Sequence, residues 1–227
     1  MCTTINIIFL IILLGVVIFH MKKNKNIEKF LEFIHIPKNA GTTIENVANE
    51  KNIKWGRYKP EHRNKVATQK CTYWHVPPKH FYINNYYDSD DTFCVIRDPR
   101  DRMVSEYSYR HKGKNDKNNK KDMNKWLKEN LNDENVYNGG LNCHFVPQHE
   151  YIYNDNNERT CNHILKFDNL TSEFNELMEK KNVDVRLSEK NKDNKSNFNL
   201  TIDDIDDENM QKIFKLYKKD FEIQNSL

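Results

Sequence analysis

Phe33-Ile34-His35-Ile36-Pro37-Lys38-Asn39-Ala40-Gly41-Thr42-Thr43 is the stretch whose reading decides the fold. The apolar-rich run Phe30–Ile36 has strand length, and it stops at Pro37, which cannot extend a central strand. Thr42–Asn49 then reads as a helix. A strand that enters a tight turn and leaves as a helix aims several backbone N–H groups, and the positive helix end, at one spot. That suits a phosphate or sulfate. Gly41 lets the backbone approach an anion with no Cβ in the way. Thr42 and Thr43 add hydroxyl donors, and Lys38 supplies a mobile charge. On the loop alone, an ordinary strand-to-helix turn with threonine as N-cap is the competing reading. A kinase or NTPase loop requires Gly-x-x-x-x-Gly-Lys-Ser/Thr. Here the lysine precedes the glycine and the first glycine is absent, which disfavours ATP.

A second unit of the same kind begins at Thr92. Phe93–Ile96 is a continuous apolar run typical of a parallel strand buried on both faces. Asp98 can cap the next helix, and Pro99 suits its first position, where no N–H is needed. Arg97 emerges at the strand's end, where ligands collect in open α/β sheets. Ser105 lies about two helical turns further on, so both can reach one anion. His163–Phe167 is a third strand candidate, followed by a helix with Leu170, Phe174, Leu177 and Met178 on one face. Met210, Ile213, Phe214 and Tyr217 recur at helical spacing after an acidic stretch, Asp203–Glu208, that suits a helix N-terminus. Strands alternating with helices predict an α/β domain over residues 30–227, with a mainly parallel central sheet flanked by helices.

The chain has 227 residues, 37% hydrophobic and 30% charged, so most of it reads as soluble and globular. Its formal net charge of +3 is too small, and its charges too interspersed, to imply a nucleic-acid partner. The Lys/Asn-rich runs Lys112–Lys121 and Glu189–Asn199 read as solvated loops. The N-terminus differs. From Ile5 to Phe19 only Asn6 and Gly15 interrupt an apolar run, and with its flanks it reaches the roughly 17–25 residues that cross a bilayer. We read 1–21 as an uncleaved membrane anchor and 22–29 as a short basic stem. Lys22, Lys23 and Lys25 place the following domain in the cytosol by the positive-inside rule. Three Asn-x-Ser/Thr sequons, at Asn169, Asn194 and Asn199, point instead to a lumen. Of five cysteines, Cys143 and Cys161 bracket one loop and make the most plausible disulfide, and Cys94 reads as a buried thiol. No Cys/His cluster has metal-ligand spacing.

Pro-Lys-x-Ala-Gly-Thr-Thr after a strand resembles the 5′-phosphosulfate loop of sulfotransferases that use 3′-phosphoadenosine 5′-phosphosulfate. With His-Ile-Pro-Lys in front, it is similar to the Golgi carbohydrate sulfotransferases, including the heparan 2-O and chondroitin groups. The resemblance implies a P-loop-like three-layer fold. It implies that Lys38 contacts the transferring group, and that Asn39, Ala40, Gly41, Thr42 and Thr43 surround the 5′-phosphate. The segment Arg97-Asp98-Pro99, followed by Ser105, resembles the family's 3′-phosphate motif, with Arg97 and Ser105 as ligands. Asn194-Lys195-Ser196 resembles a late basic loop that closes over the nucleotide, with Lys195 and Ser196 near phosphate. Phe145–Tyr151 looks like an acceptor-side segment. The resemblance further implies a Golgi-lumen address, a glycan acceptor and no metal.

Sulfuryl transfer to a hydroxyl benefits from a general base whose pKa lies near the working pH, and histidine suits that task. His75, after the strand-like Cys71–Trp74 and before Val76-Pro77-Pro78, is the leading candidate. His35 reads as a strand-end residue, and His80, His144 and His149 as weaker candidates. The competing functions are a membrane-anchored binding protein of the same fold without turnover and, less favoured, a kinase-like enzyme.

Overall fold

A computed structural model describes residues 30–65, 70–78, 91–188 and 198–227. Three strands, β1 (Glu32–Ile34), β2 (Thr92–Ile96) and β3 (His163–Lys166), form a parallel sheet in the order β1-β2-β3. Phe33 lies beside Phe93 in register, and Cys94 beside Ile164. The first strand is shorter than expected, because the chain leaves the ladder at His35, ahead of Pro37.

Side chains alternate across the sheet as period-two geometry requires. Phe33, Phe93, Val95 and Leu165 face α1 (Gly41–Glu50) and α4 (Leu170–Lys180), where Ile44, Val47, Phe174 and Met178 complete one core. Ile34, Cys94, Ile96 and Ile164 face the other way, onto Val76, Val146, Tyr151 and Ile152. A third core gathers α2 (Pro99–Arg110), α3 (Lys120–Asn130) and α5 (Asp207–Leu216) around Met103, Tyr107, Met123, Leu127, Phe145, Ile213 and Tyr217. The last helix, α6 (Lys218–Ser226), follows directly.

Asp98 caps α2 by accepting a hydrogen bond from Arg100 N, with Pro99 in the first turn, as the sequence predicts. Three expectations need correction. The sequence predicts loop throughout Lys112–Lys121, yet α3 begins at Lys120. Asn119 caps it, and Met123, Leu127 and Leu131 line its buried face. Phe214, expected on the buried face of α5, is 46% exposed and stacks on Phe221 at 4.9 Å. The cysteines pair as Cys71–Cys143 and Cys94–Cys161, so Cys143 does not join Cys161 and Cys94 is no free thiol. Cys94 lies on the sheet face that meets the segment leading into β3, which is why Cys161 is its neighbour. Among the described residues no helix is long and apolar enough to cross a membrane. The expected anchor, 1–21, and the stem, 22–29, lie outside the described residues.

Candidate functional site

The turn between β1 and α1 is built on two left-handed residues that are not glycine, Lys38 (φ 70°) and Ala40 (φ 64°). Such residues persist only where their surroundings hold them. The backbone N–H groups of Lys38, Ala40, Gly41, Thr42 and Thr43 have no acceptor among the described residues, and no side chain caps α1. Thr42 and Thr43 are half-buried, and no hydrogen bond occupies their hydroxyls there. The result is a nest of open donors at a helix start, the arrangement that binds anions. The Lys38 ammonium lies 4.0 Å from the centre of the Tyr109 ring. Burial lowers its pKa to about 8, against the pull of Glu106 and with help from Arg97, Arg110 and Arg102. An incoming anion would favour its charged form and raise the pKa again.

Arg97 joins the two predicted segments directly. Its Nη1 donates to the Lys38 carbonyl at 3.1 Å and its Nε to Asp101 at 2.5 Å, while the guanidinium lies 4.1 Å from the Phe167 ring centre. Only Nη2 has no hydrogen bond among the described residues, so a bidentate grip on a phosphate requires Asp101 to yield. Ser105 is half-buried with its hydroxyl unpartnered among the described residues.

Asn39 does not face the nest, contrary to its expected place around the phosphate. It is 1% exposed and donates to the Val95 carbonyl (2.7 Å) and to Gln148 Oε1 (2.6 Å). Gln148 also accepts from Arg97 N (3.0 Å) and donates to Arg97 O (2.8 Å). Its amide locks the loop to the end of β2. Arg102, missed by the sequence reading, is completely buried. Its Nε donates to Pro37 O and its Nη2 to the carbonyls of His144 and Val146, at 3.1, 2.8 and 2.9 Å. A run of three arginines within six residues carries no sign of which one is buried.

Tyr73–His75 is a single 3₁₀ turn rather than a strand. The Cys71–Cys143 bridge and the Tyr151 hydroxyl, which donates to His75 O at 2.7 Å, fix it against residues 141–146. Three imidazoles result in a row: His35 to His75 and His75 to His144, each 4.8 Å between ring centres. A carboxylate closes each end. Glu45 lies 2.6 Å from His35 Nδ1, and Glu106 lies 2.6 Å from His144 Nδ1. Burial, then the neighbouring His35 and His144, push His75 well below the usual histidine range. Burial likewise lowers His144, against the opposing pull of Glu106. Glu106, despite a burial penalty, is held down at about 2 by His144 and Arg110. All three histidines are therefore brought together, including two that the sequence ranked below His75. The Gly41 reading is sharpened too. A Cβ there would lie 2.3 Å from His35 Nε2, so the glycine makes room for that ring.

His149 is tied to the buried Asp220 and stands apart from the row. Trp55 is core, donating to Leu31 O. Lys195, Ser196 and His80 lie outside the described residues. Among the described residues no group of His, Cys, Asp and Glu is arranged to hold a metal ion.

A family model described as "Sulfotransferase family" matches residues 26–225. No curated protein and no solved structure matches the chain.

Proposed function

We propose, from the premise that this chain belongs to the sulfotransferase family and is a transferase of sulfur-containing groups, that its donor is 3′-phosphoadenosine 5′-phosphosulfate and its acceptor a glycan hydroxyl. The observation that carries this reading is the meeting of two anion-binding halves. Arg97, at the end of β2, holds the Lys38 carbonyl of the nest in front of α1. The donor has two separate phosphate positions, and the site offers two separate donor sets. The open N–H groups of Lys38, Ala40, Gly41, Thr42 and Thr43 suit the 5′-phosphosulfate, and Arg97 Nη2 with Ser105 suits the 3′-phosphate. Lys195 and Ser196 are proposed to close over the nucleotide.

Lys38 neutralises charge that builds on the leaving phosphate oxygen, and its partly desolvated setting supports this role, since one positive charge counts for more there than in water. The acceptor side is the row of His35, His75 and His144, within which one imidazole takes the hydroxyl proton. The three-layer arrangement of P-loop-like domains is the fold proposed for the whole domain. The test is calorimetric binding of 3′-phosphoadenosine 5′-phosphate against ATP, followed by transfer of labelled sulfate to a panel of desulfated glycans. ATP preference refutes the donor assignment. Tight bisphosphate binding with no transfer to any hydroxyl refutes turnover and leaves a binding protein of the same fold.

The proposal extends to location. Residues 1–21 anchor the chain in a membrane with the domain in the Golgi lumen. Two disulfides and the exposed sequon residues Asn169 and Asn199 support an oxidising side, against the vote of Lys22–Lys25. Glycosidase-sensitive mass at Asn169 or Asn199 in cells checks this, and an unglycosylated, protease-accessible cytosolic domain refutes it.

A further inference from the structure

The three histidines of the row are not equivalent, because their Nδ1 atoms meet different partners. His75 Nδ1 lies 3.0 Å from Asn142 Nδ2. The orientation of that amide is fixed at its other end, where Asn142 Oδ1 accepts the Thr72 backbone N–H at 2.5 Å. A backbone N–H can only donate, so Oδ1 must face Thr72 and the amide N–H must face His75. His75 Nδ1 is therefore an acceptor, and in the neutral ring the proton sits on Nε2. His75 presents a donor to its surroundings rather than a lone pair.

His144 has the opposite arrangement. Its Nδ1 is 2.6 Å from the Glu106 carboxylate, which is ionised at any working pH and can only accept. The proton is thus on Nδ1, and Nε2 carries the lone pair, with no hydrogen-bond partner among the described residues. Glu106 is itself gripped by Arg110 Nε at 2.7 Å, and the His144 carbonyl is held by Arg102. This is a carboxylate–imidazole pair of the kind that orients a base and stabilises its imidazolium. His35 with Glu45 has the same tautomer, but its Nε2 edge is packed against Gly41. His144 instead lies toward Lys38, the residue proposed for the sulfuryl end. The Tyr109 ring lies 5.8 Å from it and carries the Lys38 ammonium on its face.

We propose that His144, positioned by Glu106, is the general base of sulfuryl transfer, and that His75 acts beside it as an Nε2–H donor. This rests on the sulfotransferase reading above. The acceptor oxygen forms its bond to sulfur while its proton passes to His144 Nε2. The bond from sulfur to the bridging phosphate oxygen breaks, and its electron pair stays on the bisphosphate product, facing Lys38. His75 Nε2–H is left to hydrogen-bond an oxygen of the substrates. No other reactant is needed.

The first test needs no acceptor. Long-range ¹H–¹⁵N spectra of the full-length chain in detergent, assigned with His144→Asn and His75→Asn, should place the proton of neutral His144 on Nδ1 and that of His75 on Nε2. The reverse pattern overturns the proposal. The second test is kinetic, with labelled donor and desulfated glycans. His144→Asn keeps an amide N–H for Glu106, so it should fold, bind 3′-phosphoadenosine 5′-phosphate within about threefold of the parent, and lose about 100-fold or more in kcat. Imidazole should restore His144→Ala and not His75→Ala. Glu106→Gln should shift the acid limb of the rate profile to lower pH, because His144 loses the carboxylate and keeps Lys38, Arg110 and Arg102 nearby. Rescue of His75→Ala alone, or full activity in His144→Asn, overturns the assignment. Absence of bisphosphate binding by the parent chain would refute the donor reading instead, and the spectra would still decide the tautomers.

Discussion

Replacing Gly41 with alanine separates two reasons for a glycine in the nest. A Cβ at that position would stand 2.3, 2.4 and 2.6 Å from Nε2, Cε1 and Cδ2 of His35. Ordinary carbon contacts begin at about 3.5 Å, so the ring must retreat by roughly 1 Å. It has little room. Its Nδ1 is bonded to Glu45 at 2.6 Å, and the rings of His75 and Phe33 stand 4.8 and 5.7 Å away. Overpacking of this kind costs about 1–3 kcal/mol, and disturbing a buried bond to a carboxylate adds about 1.5 kcal/mol or more. We expect Gly41→Ala to lose about 3 kcal/mol, a fall of roughly 6–12 °C in Tm for a domain of this size. Urea unfolding of Gly41→Ala, His35→Ala and the double variant closes the cycle. The double variant should be more stable than the sum of the singles by about 1–2 kcal/mol, since the clash has lost its partner. An additive cycle, or a Gly41→Ala chain as stable as the parent, refutes the steric account. Unchanged stability with lost bisphosphate affinity would return the glycine to a purely ligand-facing role.

Five further outcomes are expected. Bisphosphate affinity should be flat below about pH 8, where Lys38 is charged, and should fall towards tenfold per pH unit above it. Lys38→Met should abolish that limb in calorimetric titrations. The ligand-free protein should show the opposite sign: between about pH 8 and 10.5 the unfolded chain binds more protons at Lys38 than the folded one, so this residue makes stability rise with pH. Gln148→Leu leaves the Arg97 N–H and carbonyl unsatisfied, so it should cost roughly 2–4 kcal/mol in urea unfolding and also weaken the donor site. Arg97→Ala should weaken bisphosphate binding more than tenfold, and unchanged affinity would remove Arg97 from the site. Reduction of Cys71–Cys143, which spans a sequence separation of 72, should cost about 4 kcal/mol. It should lower turnover far more than bisphosphate binding, because only the acceptor side is tied by that bridge.

The two strand–turn–helix units were legible because their signals are local. Pro37 ends one strand, and Asp98-Pro99 starts one helix, within a few residues of sequence. The residues proposed to hold the donor lie on those units and could be named with them. The acceptor half depends on partners far apart in sequence. Glu106 finds His144, Thr72 finds Asn142 and Asn39 finds Gln148 only after the sheet has formed. Nothing near His144 marks it as the partner of a buried carboxylate. The α3 helix was hidden for another reason: Met123, Leu127 and Leu131 have the right spacing, but the lysines and asparagines between them resemble the loop before. Cysteine pairing was beyond reach because four cysteines allow three connectivities, and loop bracketing favours the wrong one.

The Cys71–Cys143 bridge carries a consequence for how the enzyme matures. The nest, Lys38 and Arg97 are assembled by β1, β2 and their helices, none of which the bridge joins covalently. The Asn142 contact that sets the His75 proton, and the approach of His75 to His144, are made across the bridged segments. A newly made chain would therefore acquire its grip on the donor first and its ability to activate an acceptor later, on oxidation. Until then it would be a nucleotide holder rather than a transferase, silent wherever thiols stay reduced. Compartment chemistry, rather than a separate inhibitor, would then decide when sulfation begins.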